Sequence, residues 1–187
     1  MDDRLRRTSK FLSYVLRHDP DALGLALDPG GWVEVETLVE RARADGRSLS
    51  RARIEQVIEA GEKTRFALSD DGSRIRANYG HSVEVDLALS PTPPPGTLYH
   101  GTARAAVSAI RAEGLRPQSR QYVHLSPTPD EATAVGRRHG TPVVLSIDAP
   151  ALHEAGQALY RSTDTVWLTR RVPPDFIRCP ESSLPGS

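Results

Sequence analysis

Cationic side chains at the predicted end of the first helix could bind a phosphate group. Arg17 and His18 are adjacent there, because Asp19 and Pro20 stop the helical pattern. Neighbouring residues on a helix point about 100° apart, so both can reach one anion only where the helix end frays. An arginine fork beside a charged imidazole would then form half of an anion site. The alternative is a capping contact of both cations with the last helical carbonyls.

Two further arginines could serve the same anion. Arg65 opens a predicted strand in which Phe66 and Leu68 share one face, so the arginine side chain belongs to the other face. It is either an exposed edge-strand residue or a group turned towards a ligand. Arg138 stands two residues after Gly136, in a segment that could also be a charged helix end.

A strand predicted over residues 98–102 ends in a turn whose residues could contact a ligand. His100 and Thr102 can hydrogen-bond sugar hydroxyls or an amide, and Gly101 lets a ligand approach the backbone. Ser126 ends the next predicted strand in the tripeptide His-Leu-Ser. The alternative for each is an ordinary core or surface residue, since a lone histidine on a strand is usually satisfied within the fold.

Other kinds of catalysis lack the residues that they need. The 6 histidines show no i,i+4 pair and no carboxylate at metal-ligand spacing, which argues against a catalytic metal. Cys179 is the single cysteine and has no local activator, and Ser126 lacks a Gly-x-Ser-x-Gly context. A GxGxxG loop for a Rossmann cofactor is also absent. We therefore expect no metal and no nucleophilic catalysis by the protein.

The charge balance restricts any anion site to a local cluster. The 187 residues carry 24 Lys+Arg against 24 Asp+Glu, whereas a histone-like tail or a uniformly basic nucleic-acid sleeve needs a large positive excess. A single cysteine fits a reducing compartment. The charged N-terminus and the lack of about 18 consecutive apolar residues predict a soluble, cytoplasmic protein with no membrane partner.

A proline-rich run divides the chain into two halves. Residues 90–96 cannot form a helix or a central strand and are predicted to be a semi-rigid linker. The linker separates an N-terminal domain, residues 1–89, from a C-terminal domain, residues 97–187. A polar tail follows from Pro180.

The first half has the pattern of three helices and a hairpin. Apolar residues recur at helical spacing, and Ser50 has the position of a helix cap. An Asp-Asp-Gly turn separates the two strands of the hairpin. The helices are predicted over about residues 4–18, 37–44 and 51–61, and the strands over residues 65–69 and 74–76. Together these elements predict a winged-helix domain.

The second half alternates short strands with short helices, which is typical of a mixed α+β domain. Strands are predicted over residues 98–102, 122–126, 143–148 and 166–169, and helices over about residues 105–113 and 129–138. The expected fold class of the whole chain is therefore α+β.

Six short motifs follow one another across both halves. They are Arg-His at 17–18, Lys-x-Arg-Phe-x-Leu at 63–68, Gly-His-Ser at 80–82, Tyr-His-Gly-Thr at 99–102, His-Leu-Ser at 124–126 and Gly-x-Arg at 136–138. In this series the chain, from about Lys10 to Val172, resembles the RNA 2′-phosphotransferase family. Those enzymes are NAD-dependent and remove an internal 2′-phosphate from spliced tRNA.

The resemblance implies a fold and a set of site residues. It implies an N-terminal winged-helix lobe that binds RNA and a C-terminal lobe like that of ADP-ribosyltransferases, which binds NAD. We also expect a monomer that needs no metal. The implied catalytic tetrad is Arg17, His18, Arg65 and Arg138, with Arg137 as the alternative to the last. The residues implied for NAD are His100, Gly101, Thr102 and Ser126, with His81 and Ser82 as further contacts.

The resemblance also implies the reaction. The RNA 2′-phosphate moves to NAD, nicotinamide and ADP-ribose 1″,2″-cyclic phosphate are released, and the RNA keeps a 2′-hydroxyl. Other ADP-ribosyltransferase families often carry a late glutamate that activates the acceptor, whereas the predicted strand over residues 166–169 has no carboxylate. Its absence fits an acceptor that is already ionised, because the second pKa of a phosphate monoester is about 6.

Two other functions remain as alternatives. A DNA-binding regulator could sense a ligand through its second half, but the predicted helix after Ser50 sets Arg51 and Arg53 against Glu55 and Glu59. This balance disfavours a DNA-recognition helix. A transferase with the same NAD pocket could instead ADP-ribosylate protein or a terminal nucleic-acid phosphate.

Overall fold

The computed structural model describes residues 2–61 and 64–180. Lys63 of the Lys-x-Arg motif and residues 181–187 of the polar tail lie outside the described residues. Backbone contacts divide the chain into two compact units, residues 1–88 and 89–187. Each unit has its own hydrophobic core.

Three helices form most of the first unit. They are α1 (Asp3–Arg17), α2 (Val35–Ala44) and α3 (Arg51–Glu59), and a 3-10 turn over Pro20–Leu23 follows α1. The side chain of Asp2 accepts a hydrogen bond from the backbone N–H of Leu5, and that of Ser50 accepts one from Arg53. These caps satisfy backbone donors that have no partner inside the helix, so α1 and α3 begin there.

A small antiparallel sheet completes the first unit. Its strands are β1 (Val33–Glu34), β2 (Phe66–Leu68) and β3 (Arg74–Ala77), in the order β1-β3-β2. Asp71 shapes the turn between β2 and β3, since its carboxylate accepts hydrogen bonds from the hydroxyls of Ser69 and Ser73. Ile75 of the central strand is fully buried in one core with Leu12 and Leu16 of α1.

The helices and the hairpin of the first unit confirm the sequence prediction, with shifted ends. The second helix begins at Val35, two residues before the predicted start near Thr37, and α3 ends at Glu59 rather than Gly61. The third strand, β1, was not predicted, because two residues are too few to show an alternating pattern.

Two three-stranded antiparallel sheets form the second unit. One has the order β4-β6-β9, from β4 (Thr97–Ala103), β6 (Pro142–Asp148) and β9 (Ile177–Arg178). The other has the order β5-β8-β7, from β5 (Val123–Leu125), β7 (Leu159–Thr163) and β8 (Val166–Thr169). Tyr99 and Ser126 join the two sheets, because each N–H donates to the other's carbonyl at 2.8 Å.

Helices of the second unit are short. They are α4 (Val107–Glu113), α5 (Pro129–Gly136) and α6 (Ala149–Glu154), with 3-10 turns over Arg104–Ala106 and Pro174–Phe176. The hydroxyl of Thr128 accepts a hydrogen bond from the N–H of Glu131, which begins α5. The helix then packs against β4 and β6.

The α+β class is confirmed, and some elements of the second unit were missed. The predicted helix after Thr128 ends at Gly136 rather than near Arg138, and the predicted strand 122–126 is limited to Val123–Leu125. β7 was not predicted because Leu159 is its only buried side chain, so no apolar alternation shows. α6 and β9 were also missed, since both are short.

The proline-rich segment 90–96 belongs to the second unit, and its first residues pair with β7. Pro91 forms an antiparallel bridge with Tyr160 of β7, and the N–H of Thr92 donates to the carbonyl of Leu159 at 2.7 Å. Within residues 2–61 and 64–180, the structure has no helix with the length and apolar content that a membrane crossing requires.

Candidate functional site

The helix α1 ends between Arg17 and His18. Arg17 is the last helical residue, and His18 has left helical geometry, with φ −122° and ψ −42°. The N–H groups of His18 and Asp19 both donate to the carbonyl of Tyr14, at 2.9 and 3.0 Å. The predicted helix stop is therefore confirmed, and it turns the chain between the two candidate phosphate-binding residues.

Aromatic rings and a carbonyl position the guanidinium of Arg17. Its carbon lies 5.7 Å from the ring centroid of Phe66 and 4.8 Å from that of Tyr79. The Nη2 atom donates to the carbonyl of Arg65 at 3.4 Å. These contacts restrict the side chain of an arginine whose donors would otherwise sample many directions.

Gly80 gives this guanidinium the space that it occupies. A Cβ atom at position 80 would lie 3.3 Å from Nη1 of Arg17 and 3.5 Å from Cδ. The φ of Gly80 is +89°, which L side chains rarely adopt. The positive φ favours glycine and the contact with Arg17 leaves little space for a side chain, so the Gly-His-Ser motif has a structural reason in its first residue.

The segment after Gly80 closes the helix end. The N–H of Ser82 donates to the carbonyl of Arg17 at 2.9 Å, and that of Val83 donates to the same oxygen at 3.2 Å. The hydroxyl of Ser82 also lies 3.0 Å from Nδ1 of His18. Ser82 thus contacts both members of the Arg-His pair and orients the imidazole.

His81 is a buried and neutral neighbour of Arg17 and His18. Its side chain is 2% exposed, and Nε2 has no hydrogen-bond partner among the described residues. Burial, and then the positive charges of Arg17, His18 and Arg76, lower the pKa of His81 to about 4. His81 is therefore uncharged near neutrality and adds no positive charge to the cluster.

Arg65 joins the cluster through its backbone. Its carbonyl accepts hydrogen bonds from Nη2 of Arg17 and from the N–H of Asn78, the latter at 2.9 Å. The residue is half-buried and directly precedes β2. The structure therefore brings Arg17, His18 and the start of the Arg65 strand together, with Ser82 and His81.

A second cluster lies in the other unit, where β4 meets β5. Nδ1 of His100 lies 2.9 Å from the carbonyl of His124, and Ser126 is bridged to Tyr99 one residue before His100. Burial lowers the pKa of His100, with further lowering by the charges of His139 and Arg120. Thr102 and Ser126 are also buried.

Gly101 and Gly136 let the backbones of β4 and α5 meet. A Cβ atom on Gly101 would lie 1.7 Å from the carbonyl oxygen of Ala132, and one on Gly136 would lie 2.9 Å from the carbonyl oxygen of Thr102. The sequence suggested Gly101 as a glycine that admits a ligand, whereas its side-chain position is filled by α5. Helix packing is thus a sufficient reason for glycine at both positions.

Arg137 and Arg138 stand where α5 ends. Arg137 is the helix cap, with its N–H donating to the carbonyl of Thr133, and the N–H of Arg138 donates to the carbonyl of Val135. Both residues are exposed. The packing of Gly136 on Thr102 places this helix end beside the strand that carries His100.

Two contacts of this site were not predicted from the sequence. Tyr79 contacts the Arg17 guanidinium, and Asn78 donates from Nδ2 to the carbonyl of Thr64 at 2.9 Å. Their only sequence signal was their position directly before the Gly-His-Ser motif at 80–82. Across residues 2–61 and 64–180 no three His, Cys, Asp or Glu side chains are grouped to hold a metal ion.

Comparison with known proteins gives one consistent result. The family model described as RNA 2′-phosphotransferase, Tpt1/KptA family, matches residues 3–171. A "Probable RNA 2′-phosphotransferase" of Pseudomonas aeruginosa strain UCBPP-PA14 is 53% identical over 172 residues, which are 91% of this chain and 94% of its own.

Two more relatives carry the same printed name. The protein of Nostoc punctiforme is 49% identical over 177 residues, which cover 95% of this chain and 98% of its own. The protein of Hahella chejuensis is 47% identical over 186 residues, which cover 100% of both chains. The matched range therefore spans both units and the positions of the six motifs.

Proposed function

The chain belongs to the RNA 2′-phosphotransferase, Tpt1/KptA family, and on that premise we propose that it transfers an internal RNA 2′-phosphate to NAD. The products are RNA with a 2′-hydroxyl, nicotinamide and ADP-ribose 1″,2″-cyclic phosphate. In this proposal NAD is a consumed co-substrate, the first unit is a winged-helix RNA lobe, and the second is an ADP-ribosyltransferase-like lobe. The fixed guanidinium of Arg17 beside His18 is the observation that carries the proposal.

The proposed reaction has two steps. A 2′-phosphate oxygen attacks the anomeric carbon of the nicotinamide ribose, and the bond to nicotinamide breaks with its electron pair on the nicotinamide nitrogen. The ribose 2″-hydroxyl then attacks phosphorus and loses its proton, while the bond from phosphorus to the RNA 2′-oxygen breaks. That oxygen takes up a proton, so the RNA leaves as the alcohol.

The first step needs positioning more than it needs a base. A phosphate monoester has its second pKa at about 6, so the nucleophile is already mostly a dianion near neutrality. β8, the late strand over Val166–Thr169, offers no carboxylate, and all four of its side chains are buried. The chain's contribution to this step is to hold the dianion in line with the ribose.

Arg17 and His18 are suited to bind the 2′-phosphate. The two aromatic rings and the Arg65 carbonyl restrict the Arg17 fork, so less side-chain entropy is lost when it meets an anion. Ser82 orients the His18 imidazole through Nδ1. An arginine fork with a neighbouring imidazole can offer several donors to the phosphate oxygens.

Arg65 and Arg138 are proposed to act in the second step. Charge builds on the oxygens of the five-coordinate phosphorus, and arginines stabilise such charge in other phosphoryl transfers. Arg138 is exposed after α5, on the unit that carries the residues proposed for NAD. Arg137 is the alternative for this role, since both side chains are exposed.

The junction of β4 and β5 is proposed to bind NAD. His100, Thr102 and Ser126 lie on the two strands joined by the Tyr99 bridge. The lowered pKa of His100 keeps the imidazole neutral near pH 7, so Nδ1 donates to the His124 carbonyl and Nε2 can accept a hydrogen bond from NAD. Gly101 is proposed to contact NAD through its backbone only, because α5 fills its side-chain position.

A transfer assay tests the proposal. Purified protein is incubated with an oligonucleotide carrying one radiolabelled internal 2′-phosphate, with or without NAD, and the products are separated chromatographically. The label should appear in ADP-ribose 1″,2″-cyclic phosphate and only when NAD is present. Label released as inorganic phosphate, or released equally without NAD, would show that NAD is not the acceptor.

A further inference from the structure

A basic pocket lies between α1 and the start of α3, away from the Arg-His pair. It has a volume of about 280 Å³. Arg4, Arg7 and Phe11 of α1, Arg47 from the loop before α3, and Arg53 of α3 line it. The remaining lining residues are uncharged. Four arginines therefore face this pocket without a carboxylate in its wall.

Three of these four arginines make no close ion pair among the described residues, although the charge of Arg53 helps to lower the pKa of Asp2. Within the described part of the chain, no ion pair involves Arg4, Arg7 or Arg53. Arg47 pairs with Asp45 at 2.8 Å, and its guanidinium carbon lies 4.4 Å from the Phe11 ring centroid. Unneutralised arginines near one another repel, which favours an anionic partner.

Acidic residues lie next to the basic pocket on one side. Asp2 and Glu59 line an adjoining pocket, where they stand with Arg4 and Arg53. The N–H of Leu5 is the main cause of a lowered Asp2 pKa, so that carboxylate is charged near neutrality. An anionic strand bound in the basic pocket is therefore expected to continue along α1 in the other direction.

That direction leads to His18. Arg4, Arg7, Phe11, Tyr14 and His18 are spaced by three or four residues, which places them along one flank of α1. Fourteen residues of helix span about 21 Å, the length of about six stacked nucleotides at about 3.4 Å each. Two arginines, then two aromatic residues, therefore lead along this flank to His18.

Tyr14 has the properties of a stacking residue. It is 48% exposed, the one large apolar side chain exposed to this degree among the described residues. Its hydroxyl donates a hydrogen bond to Asp19 at 2.5 Å, which restricts the ring one turn before His18. Exposed aromatic rings next to arginines bind single-stranded nucleic acid by stacking on bases.

We propose that this flank of α1, together with Arg47 and Arg53, binds the phosphodiester backbone of the single-stranded RNA segment adjoining the 2′-phosphate. Tyr14 stacks on a base of that segment. The proposal rests on the proposed function, because it takes the Arg17–His18 end as the position of the 2′-phosphate. It adds a binding surface of about six nucleotides, and so a preference for substrates with single-stranded RNA on that side.

Fluorescence anisotropy with labelled single-stranded RNA tests the surface without any transfer reaction. RNAs of two to twelve nucleotides, without a 2′-phosphate and in the absence of NAD, are titrated at several salt concentrations. Affinity should rise with length up to about six nucleotides and then level off. An affinity independent of length from two nucleotides onwards would overturn the proposal.

Charge-removing variants locate the surface. The double variant Arg4→Gln/Arg7→Gln should weaken binding and lower the slope of log Kd against log salt by about 1.4, at about 0.7 per phosphate contact. Arg6→Gln is the matched control, because Arg6 points about 100° away from Arg7, does not line the pocket and pairs with Asp3 at 3.0 Å. An effect of Arg6→Gln equal to that of Arg4→Gln alone or Arg7→Gln alone would overturn the proposal.

The aromatic contact has its own test. Tyr14→Ala should raise the Kd about tenfold, and Tyr14→Trp should restore binding. Anionic vesicles of phosphatidylserine serve as the competing partner, and binding to them as tight as to RNA would overturn the assignment to RNA. A protein that binds RNA as expected but transfers no phosphate would contradict the proposed function alone.

Discussion

Arg17 combines the features of a phosphate-binding residue and of a well-packed one. Its guanidinium lies against the rings of Phe66 and Tyr79 and donates to the Arg65 carbonyl. A lysine has no planar fork, so it could match neither the ring contacts nor two phosphate oxygens at once. The identity of this side chain, and not only its charge, is therefore expected to matter.

Arg17→Lys tests that expectation. We expect kcat/KM for the 2′-phosphorylated RNA to fall about 100-fold, which corresponds to about 2.7 kcal/mol, because the aligned fork is lost while the charge is kept. Steady-state kinetics measure it, with Arg6→Lys as the control on the same helix. A loss of less than threefold would mean that charge alone is enough.

Arg138→Ala separates the two proposed steps. If this arginine stabilises the five-coordinate phosphorus, the first step proceeds and RNA carrying ADP-ribose on its 2′-phosphate accumulates. A rapid-quench time course on denaturing gels measures the intermediate, and Arg137→Ala is the matched control. Loss of the initial attachment instead would contradict this role, and accumulation in the Arg137 variant alone would move the role to Arg137.

The lowered pKa of His81 predicts how the free energy of unfolding depends on pH. Its folded-state pKa of about 4 lies below the ordinary value of 6.5, so between these pH values the unfolded chain binds a proton that the folded chain does not. Folding stability is thus fully present above pH 6.5 and decreases as pH falls towards 4, by up to about 3 kcal/mol. Urea unfolding of the wild type and of His81→Gln at pH 7, 5.5 and 4.5 measures it.

The His81 variant also supplies the control for that measurement. It should be less sensitive to pH across the window even if it is less stable at pH 7. His100 has a pKa lowered in the same direction and remains in both proteins, so it contributes equally to both. Identical pH slopes for the two proteins would contradict a neutral buried His81.

At the scale of elements, the contact between β4 and α5 sets the geometry of the second unit. Gly101 and Gly136 occupy a crossing where the carbonyls of Ala132 and Thr102 come too close for any Cβ atom. Because β4 carries His100 and Arg138 follows α5, this crossing fixes the two proposed site segments relative to each other. Its disruption should affect folding and the proposed NAD site together.

Gly101→Ala is the sharpest test of the crossing. The new methyl would lie 1.7 Å from a backbone oxygen, so α5 must move, and we expect a loss of about 3 kcal/mol of unfolding free energy. Gly30→Ala is the control, since its tightest neighbours are side-chain atoms 3.2 Å or more away. Denaturant unfolding measures both, and similar small losses would show that the backbones are not in close contact.

The sequence predicted elements with a strong local signal and missed those that depend on partners. Asp19-Pro20 and the cap at Ser50 predicted the helix boundaries near α1 and α3. β7 has one buried side chain and β1 has two residues, so both exist through pairing with β8 and β3. Pairing between distant segments leaves no periodic pattern in either.

In the candidate site too, features with a local sequence signal were predicted and contacts with distant residues were missed. Arg17 and His18 could be chosen from their types and their place at a helix end, but the Tyr79 ring, 62 positions away along the chain, could not. Gly101 was predicted to let a ligand approach the backbone, whereas the neighbour that requires glycine there is α5. The type of each candidate residue could be chosen from the sequence, whereas the contacts that orient its side chain could not be predicted.

At the scale of the whole molecule, a neutral chain can still bind RNA because its cations are concentrated locally. The chain has 24 basic and 24 acidic residues overall, yet four arginines line the pocket between α1 and α3. Arg51, by contrast, pairs with Glu36 and Glu55 and donates to the Gly72 carbonyl, so it stabilises the first unit. Net charge alone would therefore underestimate the salt dependence of RNA binding.

The proposed function depends on recognition of the 2′-phosphate itself by the Arg17–His18 end of α1. The most direct measurement compares the Kd of two RNAs that differ only in that phosphate, by calorimetry on the wild type and on Arg17→Ala and His18→Ala. The wild type should bind the phosphorylated RNA at least tenfold more tightly, and each variant should lose most of this difference while its NAD affinity and its affinity for the 2′-hydroxyl RNA stay the same. A wild type that binds both RNAs equally, or variants that keep the full difference, would contradict the claim.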